Sequence, residues 1–416
     1  MKKYGVVNQL LANFIKDIRK CICSAPLPVL SMFIYIALRS SLIFSLEGLV
    51  DEQKDWHAAY LGWYDFLLIG SIAISFFING FRIRIEYFIF ILVIFVILLI
   101  SFISSGFNLG TKPIIAGFVY FFRFAFAFSF TLWLVQRIGV NATENFVIAL
   151  ITILEISALF VLSLRIGTFN RMYSSGMSAA SFSQIVSIVG LIALIRNYKI
   201  ILLISIFFLL MSFSRTSILL FLFLFFISFF YIKNIKVWSK VKYFTIIIII
   251  GLNIFFAMLF LDFSDFPFER LLNTEEYTSL NDRTDIWFYA KNLLLSGHIP
   301  LFGVGFNVTP SLLGNFSFQG FQNSSSYAVS FHSIIIEYAF GLGVLSVFIF
   351  YCLCRRIWQT FKNRCYPAFL IFILFLLSQS IDFTFYRPKE VVIWSIILGL
   401  AEGQWRLCNR KQFLTT

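Results

Sequence analysis

The sequence predicts an all-α, polytopic integral membrane protein of about 12 transmembrane helices with one large extracytoplasmic loop. Three observations predict it. Of the 416 residues, 60% are hydrophobic and only 13% are charged, too few to coat a soluble particle with that much apolar interior. Runs such as Tyr87–Ser105 and Ser217–Ile232 carry no charge. In hydrocarbon each backbone N–H and C=O must find its partner inside the segment, which a helix provides. Finally, Lys and Arg recur at alternate connections, the signature of a chain threading back and forth through a bilayer. A transmembrane barrel would need short alternating strands, which are absent from the pattern.

Hydrophobic windows place the spans near 25–48, 60–81, 87–105, 113–136, 146–164, 179–195, 200–214, 217–232, 243–262, 332–351, 366–385 and 390–403. The seventh and eighth are short and nearly contiguous, so they form a tight hairpin around Arg215. Residues 1–262 form an N-terminal bundle of about nine helices, 263–331 a large loop, and 332–416 the last helices and a tail. The basic segment Met1–Lys20 has no cleavage-site pattern before the first apolar run, so no removable signal peptide is expected. The 56 phenylalanines suit lipid-facing positions, and no mechanism is read into them.

Most of the 33 basic residues fall on one set of loops: Lys2 to Lys20, Arg82, Arg84, Arg137, Arg196, Lys199, Lys233 to Lys242, Arg355 to Arg364, and Arg406 to Lys411. These are the cytoplasmic loops, with both termini on that side. The net charge of +13 thus reflects topology rather than a nucleic-acid partner. All six cysteines (Cys21, Cys23, Cys352, Cys354, Cys365 and Cys408) fall on or near the same face, where a reducing compartment keeps them as thiols. Cys21-x-Cys23 and Cys352-x-Cys354 have metal-like spacing without a nearby histidine, and structural thiols are the favoured reading.

The 263–331 loop is far longer than an ordinary connection. Within it, Thr284 to Ser296 puts Ile286, Tyr289, Ala290, Leu293 and Leu294 on one helical face, suited to lying along the membrane surface. Residues 313–331 are rich in Ser, Asn, Gly, Gln and Phe and read as a flap. Arginines recur in the membrane or on the outer half: Arg39, Arg123, Arg165, Arg171, Arg215, Arg270, Arg283 and Arg387, with Lys389. Such charges are costly in hydrocarbon. A guanidinium fork matches phosphate oxygens, so the cluster suggests an anionic ligand at the surface. The competing reading is helix–helix pairing with Asp65, Glu155, Glu337 or Asp382, and for Arg39 and Arg123 the two readings stand level. Of three histidines, His57 and His298 read as solvated, whereas His332 stands where the loop re-enters the membrane and can take a proton near neutral pH. No acidic cluster with ligand spacing appears, and no Gly-x-Ser-x-Gly elbow.

Three motifs, in order, resemble the bacterial O-antigen ligase and polymerase superfamily. They are Ser214-Arg215-Thr216-Ser217; Arg283 and Trp287 followed by His298-Ile299-Pro300-Leu301-Phe302-Gly303-Val304-Gly305; and His332-Ser333 followed by Gly343-Val344-Leu345-Ser346. Arg165-Ile166-Gly167-Thr168-Phe169 resembles a further family stretch. The resemblance implies a metal-independent, cofactor-free glycosyltransferase of the bacterial inner membrane, with its loop and site on the periplasmic face. Its donor would be an undecaprenyl-pyrophosphate-linked glycan and its acceptor another glycan or lipid A core, with a chain-length regulator as a further partner. Carried onto this chain, it makes Arg215 and Arg283 pyrophosphate ligands, with Arg165 and Arg171 as further donor-site residues. His332 is the general base or another phosphate contact. Glu337 is placed to orient the imidazole or to pack, and Asp382 to pair with an arginine. Ser346 and Ser333 depart from the commonest ligase pattern, so polymerase and ligase both stay open, with polymerase ranked first and a lipid-linked oligosaccharide flippase third.

Overall fold

The computed structural model describes residues 2–40, 63–78, 92, 95–96, 99, 111–164, 177, 179–212, 214–231, 278–295, 301–303, 333–381 and 388–413. All regular structure among the described residues is helical. The helices are α1 Lys2–Ser24, α2 Pro26–Ser40, α3 Trp63–Ile78, α4 Thr111–Ile138, α5 Val140–Leu164, α6 Ala179–Arg196 and α7 Lys199–Met211. They continue as α8 Arg215–Tyr231, α9 Thr278–Leu295, α10 Ile334–Leu342, α11 Leu345–Lys362, α12 Tyr366–Ile381 and α13 Pro388–Phe413.

Among the described residues, four stretches are long and apolar enough to cross a membrane: Phe118–Ile138, Val140–Leu159, Ala179–Arg196 and Lys389–Asn409. A fifth is reached if Leu11–Ser24 and Pro26–Ala37 are taken together, although they are bent by 115°. Asp65–Ile78, Lys199–Met211, Thr216–Ser228 and Tyr366–Ile381 are shorter apolar helices. At about 1.5 Å per residue, the 13 residues of α7 reach only about two thirds of a typical hydrocarbon core. The expected spans 87–105 and 243–262 lie wholly or largely outside the described residues.

Three differences from the sequence expectation have physical causes. The N-terminal segment is helical although no window found it, because its apolar residues are periodic rather than continuous. The expected span 332–351 is two helices. The chain breaks at Gly343, whose φ of 55° and ψ of −134° is open only to glycine, and Val344 N donates to Leu301 O at 3.0 Å instead of continuing the ladder. The last helix runs to Phe413, well past the expected 403, because its final turns carry polar residues that a hydropathy window rejects.

The bundle closes through small residues. A Cβ on Gly399 would stand 2.6 Å from Phe128 O, and one on Gly403 would stand 2.7 Å from Val135 Cβ. This Gly-x-x-x-Gly stripe seats α13 on α4, the helix pair in longest contact, where dispersion replaces the hydrophobic driving force that lipid cannot supply. Gly190 does the same for α6 against the Phe221 ring of α8. Phenylalanine fills the interior (Phe130, Phe146 and Phe182 are fully buried, and Phe375 meets Trp394 edge-on at 5.1 Å), and it also covers the outside, as at Phe66 and Phe226.

Candidate active site

Arg215 is the first residue of α8, and the structure describes its backbone alone. It enters the helix from a turn built of serines. Ser212 Oγ donates to Leu209 O at 2.6 Å, and Ser214 N donates back to Ser212 Oγ at 3.4 Å. Ser214 Oγ and Ser183 Oγ of α6 both donate to Ser217 Oγ, at 3.0 and 2.7 Å. Nearby, Gln379 of α12 donates to Gln184 Oε1 of α6 at 2.9 Å. These side chains are all buried. In an apolar bundle such hydroxyls and amides must satisfy one another, so they lock α6, α8 and α12 in one register and fix where α8 begins. The start of a helix directs unbonded N–H groups and the positive end of the backbone dipole at whatever lies beyond it. That end suits an anion.

The second and third motifs meet backbone to backbone. Leu301 accepts the Val344 N–H, and both Gly303 (φ 78°) and Gly343 (φ 55°) sit at this crossing. A Cβ on Gly343 would meet Leu301 O at 2.0 Å, and one on Gly303 would meet Gly341 C and O at 2.5 Å. The Pro-Leu-x-Gly turn therefore lies against the break between α10 and α11 with no room for any side chain at either glycine. Ser346, the residue that departs from the ligase pattern, donates to Gly343 O at 2.7 Å and caps this break. Helix α9, which contains Arg283, packs on α10. Its buried side is Ile286 and Ala290 with Tyr289 and Leu293 partly covered, as the sequence expects, whereas Leu294 is exposed. Only the backbone of Arg283 is described.

Ser333, extended at φ −146°, is the cap residue of α10, so His332 lies immediately before the helix; His332 itself is outside the described residues. Arg165, Arg171 and Asp382 also lie outside them. Glu337 is buried in the first turn of α10, and its N–H bonds to Ser333 O at 2.9 Å. The next residue, Tyr338, has its hydroxyl 3.4 Å from that of Tyr120 on α4, a buried pair. One turn along α4, Arg123 is wholly buried in a two-pronged pair with Asp65 of α3, Nε to Oδ1 and Nη2 to Oδ2, both at 2.7 Å. Of the two readings of Arg123, helix–helix pairing is the one observed. Glu155 is buried on α5, and its Oε1 has no hydrogen bond among the described residues.

Helix α12 touches α8, α6 and α10, and α10 touches α9. The helices that carry or adjoin Arg215, Arg283 and His332 thus form one contiguous group. Unforeseen from sequence are Ser183 as the partner of the motif serine Ser217, the Gln184–Gln379 pair, Tyr120, and the glycine crossing as a contact. Their signal was present as polar residues recurring inside apolar spans, but which of them meet is not a property of one helix.

Residues 200–351 match the family model described as O-antigen ligase. This interval spans nearly all of α7, all of α8 and α9, and the α10–α11 break with its glycine crossing, together with residues 263–331, where the sequence predicts a long loop. Compared with curated proteins, the chain has no significant match. Over residues 200–351 the chain is thus similar to the O-antigen ligase family, and this match supports the O-antigen ligase and polymerase superfamily.

Proposed function

We propose that the protein is an O-antigen repeat-unit polymerase, a glycosyltransferase that joins undecaprenyl-pyrophosphate-linked oligosaccharides on the periplasmic face of the inner membrane. The family match supports an O-antigen ligase or polymerase-type activity. The observation that carries the site is the crossing of Leu301–Gly303 with Gly341–Val344, because it holds the motif after Arg283 against the helix that His332 precedes. On this reading the chain crosses the bilayer about twelve times with both termini cytoplasmic, and residues 263–331 form the periplasmic loop between bundle 1–262 and segment 332–416.

In the reaction, the acceptor sugar's hydroxyl oxygen attacks the anomeric carbon of the donor glycan. His332 takes the hydroxyl proton as the new C–O bond forms and the bond to pyrophosphate breaks. Arg215 and Arg283 hold the departing undecaprenyl pyrophosphate and offset the charge that grows on its bridging oxygen. Arg165 and Arg171 extend the anion site. Glu337 orients His332 from within α10, and Asp382 pairs with an arginine. No metal ion takes part in these steps. Aromatic and amide side chains of 313–331 stack on the sugars.

The ligase reading, transfer of finished polymer to lipid A core, shares this chemistry and draws support from the description of the matching family. The test is the surface-polysaccharide ladder of a deletion strain complemented with wild type, Arg215→Ala, Arg283→Ala or His332→Ala at matched expression. A polymerase leaves core bearing a single repeat unit when deleted. A ligase leaves bare core with polymer retained on undecaprenyl pyrophosphate, and a flippase leaves lipid-linked units on the cytoplasmic face. Full rescue by all three variants would remove these residues from the site.

A further inference from the structure

Helix α1 has three faces rather than two. Its packed face is Phe14, Asp17, Ile18 and Cys21. Asn145 of α5 donates to Asp17 Oδ2 at 2.9 Å, and Cys21 Sγ donates to Ala142 O at 3.5 Å. At about 100° of turn per residue, Leu11 and Ile15 form a stripe beside that face, one turn apart. They are 57% and 58% exposed. Beyond the stripe, on the side away from the packed face, lie Lys16, Arg19 and Lys20, all exposed. Lys20 makes a 3.7 Å pair with Asp17 while staying 53% exposed, a contact of small energy. Lys2 and Lys3 stand at the start of the same helix.

The orientation of α1 comes from the bend. Pro26 and Pro28 open α2 without N–H groups, and the chain turns by 115° between Leu11–Ser24 and Pro26–Ala37. If α2 runs across the bilayer, α1 lies within a few tens of degrees of its surface. An apolar stripe between an anchored face and a cationic face then matches a lipid interface, with the stripe among acyl chains and the cations level with the headgroups.

We propose that α1 is an interfacial helix that binds anionic phospholipid through Lys16, Arg19 and Lys20, with Leu11 and Ile15 inserted beside the bound lipid. This surface lies at the opposite end of the bundle from Arg215 and Ser333 and is independent of the glycosyl-transfer reading. It would anchor the start of α5, which carries the buried Glu144 that holds α6 and α13.

The test is native mass spectrometry of the full chain in detergent with added phosphatidylglycerol or phosphatidylcholine. Wild type is expected to retain phosphatidylglycerol over phosphatidylcholine, with binding that declines as sodium chloride rises. Lys16→Gln/Arg19→Gln/Lys20→Gln should lose phosphatidylglycerol, roughly fivefold per charge removed. Equal retention of both lipids, binding indifferent to salt, or a triple variant that keeps its phosphatidylglycerol would each overturn the proposal. Displacement of the lipid by inorganic pyrophosphate would mark a general anion site and overturn it as well. So would a wild-type dimer lost in Leu11→Ser/Ile15→Ser, which would assign the stripe to a second copy of the chain. The salt series on wild type decides the matter even if the triple variant fails to fold.

Discussion

The two ends of the bundle are held together by different chemistry. At the end where α5 begins and α6 and α13 finish, the fastenings are charges. Glu144 accepts from Arg196 Nε at 2.6 Å and from Gln404 Nε2 at 2.7 Å, and Glu402 accepts from Arg356 at 2.9 Å and Arg406 at 3.0 Å. The Arg356 guanidinium also lies 3.6 Å from the Trp405 ring centre. At the end where α8 and α10 begin, the hydrogen bonds described above are mostly neutral (serine to serine, glutamine to glutamine, tyrosine to tyrosine) and glycine backbone meets glycine backbone, although Glu337, Lys389 and Glu390 are also buried there. The pair Asp65–Arg123 is set back along α4. The difference suits the proposed chemistry. A site proposed to bind pyrophosphate gains from hydroxyls and helix-start N–H groups, which can donate to phosphate oxygens.

The comparison breaks first at the glycine crossing. Gly343→Ala and Gly303→Ala each force a side chain into backbone at 2.0–2.5 Å and strain a positive φ, so the proposed glycan transfer should fall roughly a hundredfold or more (about 3 kcal/mol) in the complemented ladder. Gly139→Ala is the internal control. Its φ of 94° is also strained, but a Cβ there meets nothing within 4 Å, so the protein should lose stability and keep its activity per folded molecule. Equal damage from both would refute the crossing as a site element.

Asp65→Ala comes next. It leaves Arg123 buried without its carboxylate, and thermal unfolding in detergent should report a loss of about 3–5 kcal/mol. Asp65→Leu/Arg123→Met should recover most of it; a double variant as weak as the single would mean that the charges serve more than packing.

Between the ends, Glu144→Gln and Ser217→Ala sharpen the contrast. The first removes a charge from the clamp and should lower stability by about 2 kcal/mol with activity per folded molecule retained. The second should lower stability by only about 1 kcal/mol while reducing transfer, because Ser217 fixes the start of α8. The reverse pattern would exchange the roles of the two ends.

The smallest effect is at the thiols. The hydrogen bond to Cys408 and burial hold the Cys365 thiol well above its usual range, so at pH 8 alkylation should reach exposed Cys23 and Cys354 well before Cys365. Because the folded form keeps its proton longer than the unfolded one, this pair stabilises the fold below about pH 8.5, and that contribution is lost as pH rises further. Prompt labelling of Cys365 would show the pair to be open.

Much of this was readable along the chain. The helices α4, α5, α6, α7, α8 and α12, and the side of α9 that buries Ile286 and Ala290, follow from hydropathy and periodicity, which are local properties. Helix α1 was missed because Lys, Arg, Asp, Asn and Gln interspersed among its apolar residues lower any window average, although those apolar residues recur with helical period. The break after Leu342 was missed because the stretch around Gly343 stays mostly apolar and a hydropathy window runs straight through it; the Val344 N–H leaves its own helix for Leu301, more than 40 positions away in sequence. Arg123 looked equally like a ligand and a partner, since a guanidinium in an apolar span serves both and only the position of Asp65 distinguishes them.

By itself, the sequence determined that this chain is helical and membrane-embedded, and it carried the ordered motifs around Arg215, Arg283 and His332. Those follow from composition and spacing, which act within one segment at a time. The tertiary structure decided which polar groups meet. It paired Arg123 with Asp65, joined Ser183 to Ser217, and pressed Gly303 against Gly341. In an interior without water each buried polar atom must find its partner on another helix, and that choice belongs to the packing of the whole bundle.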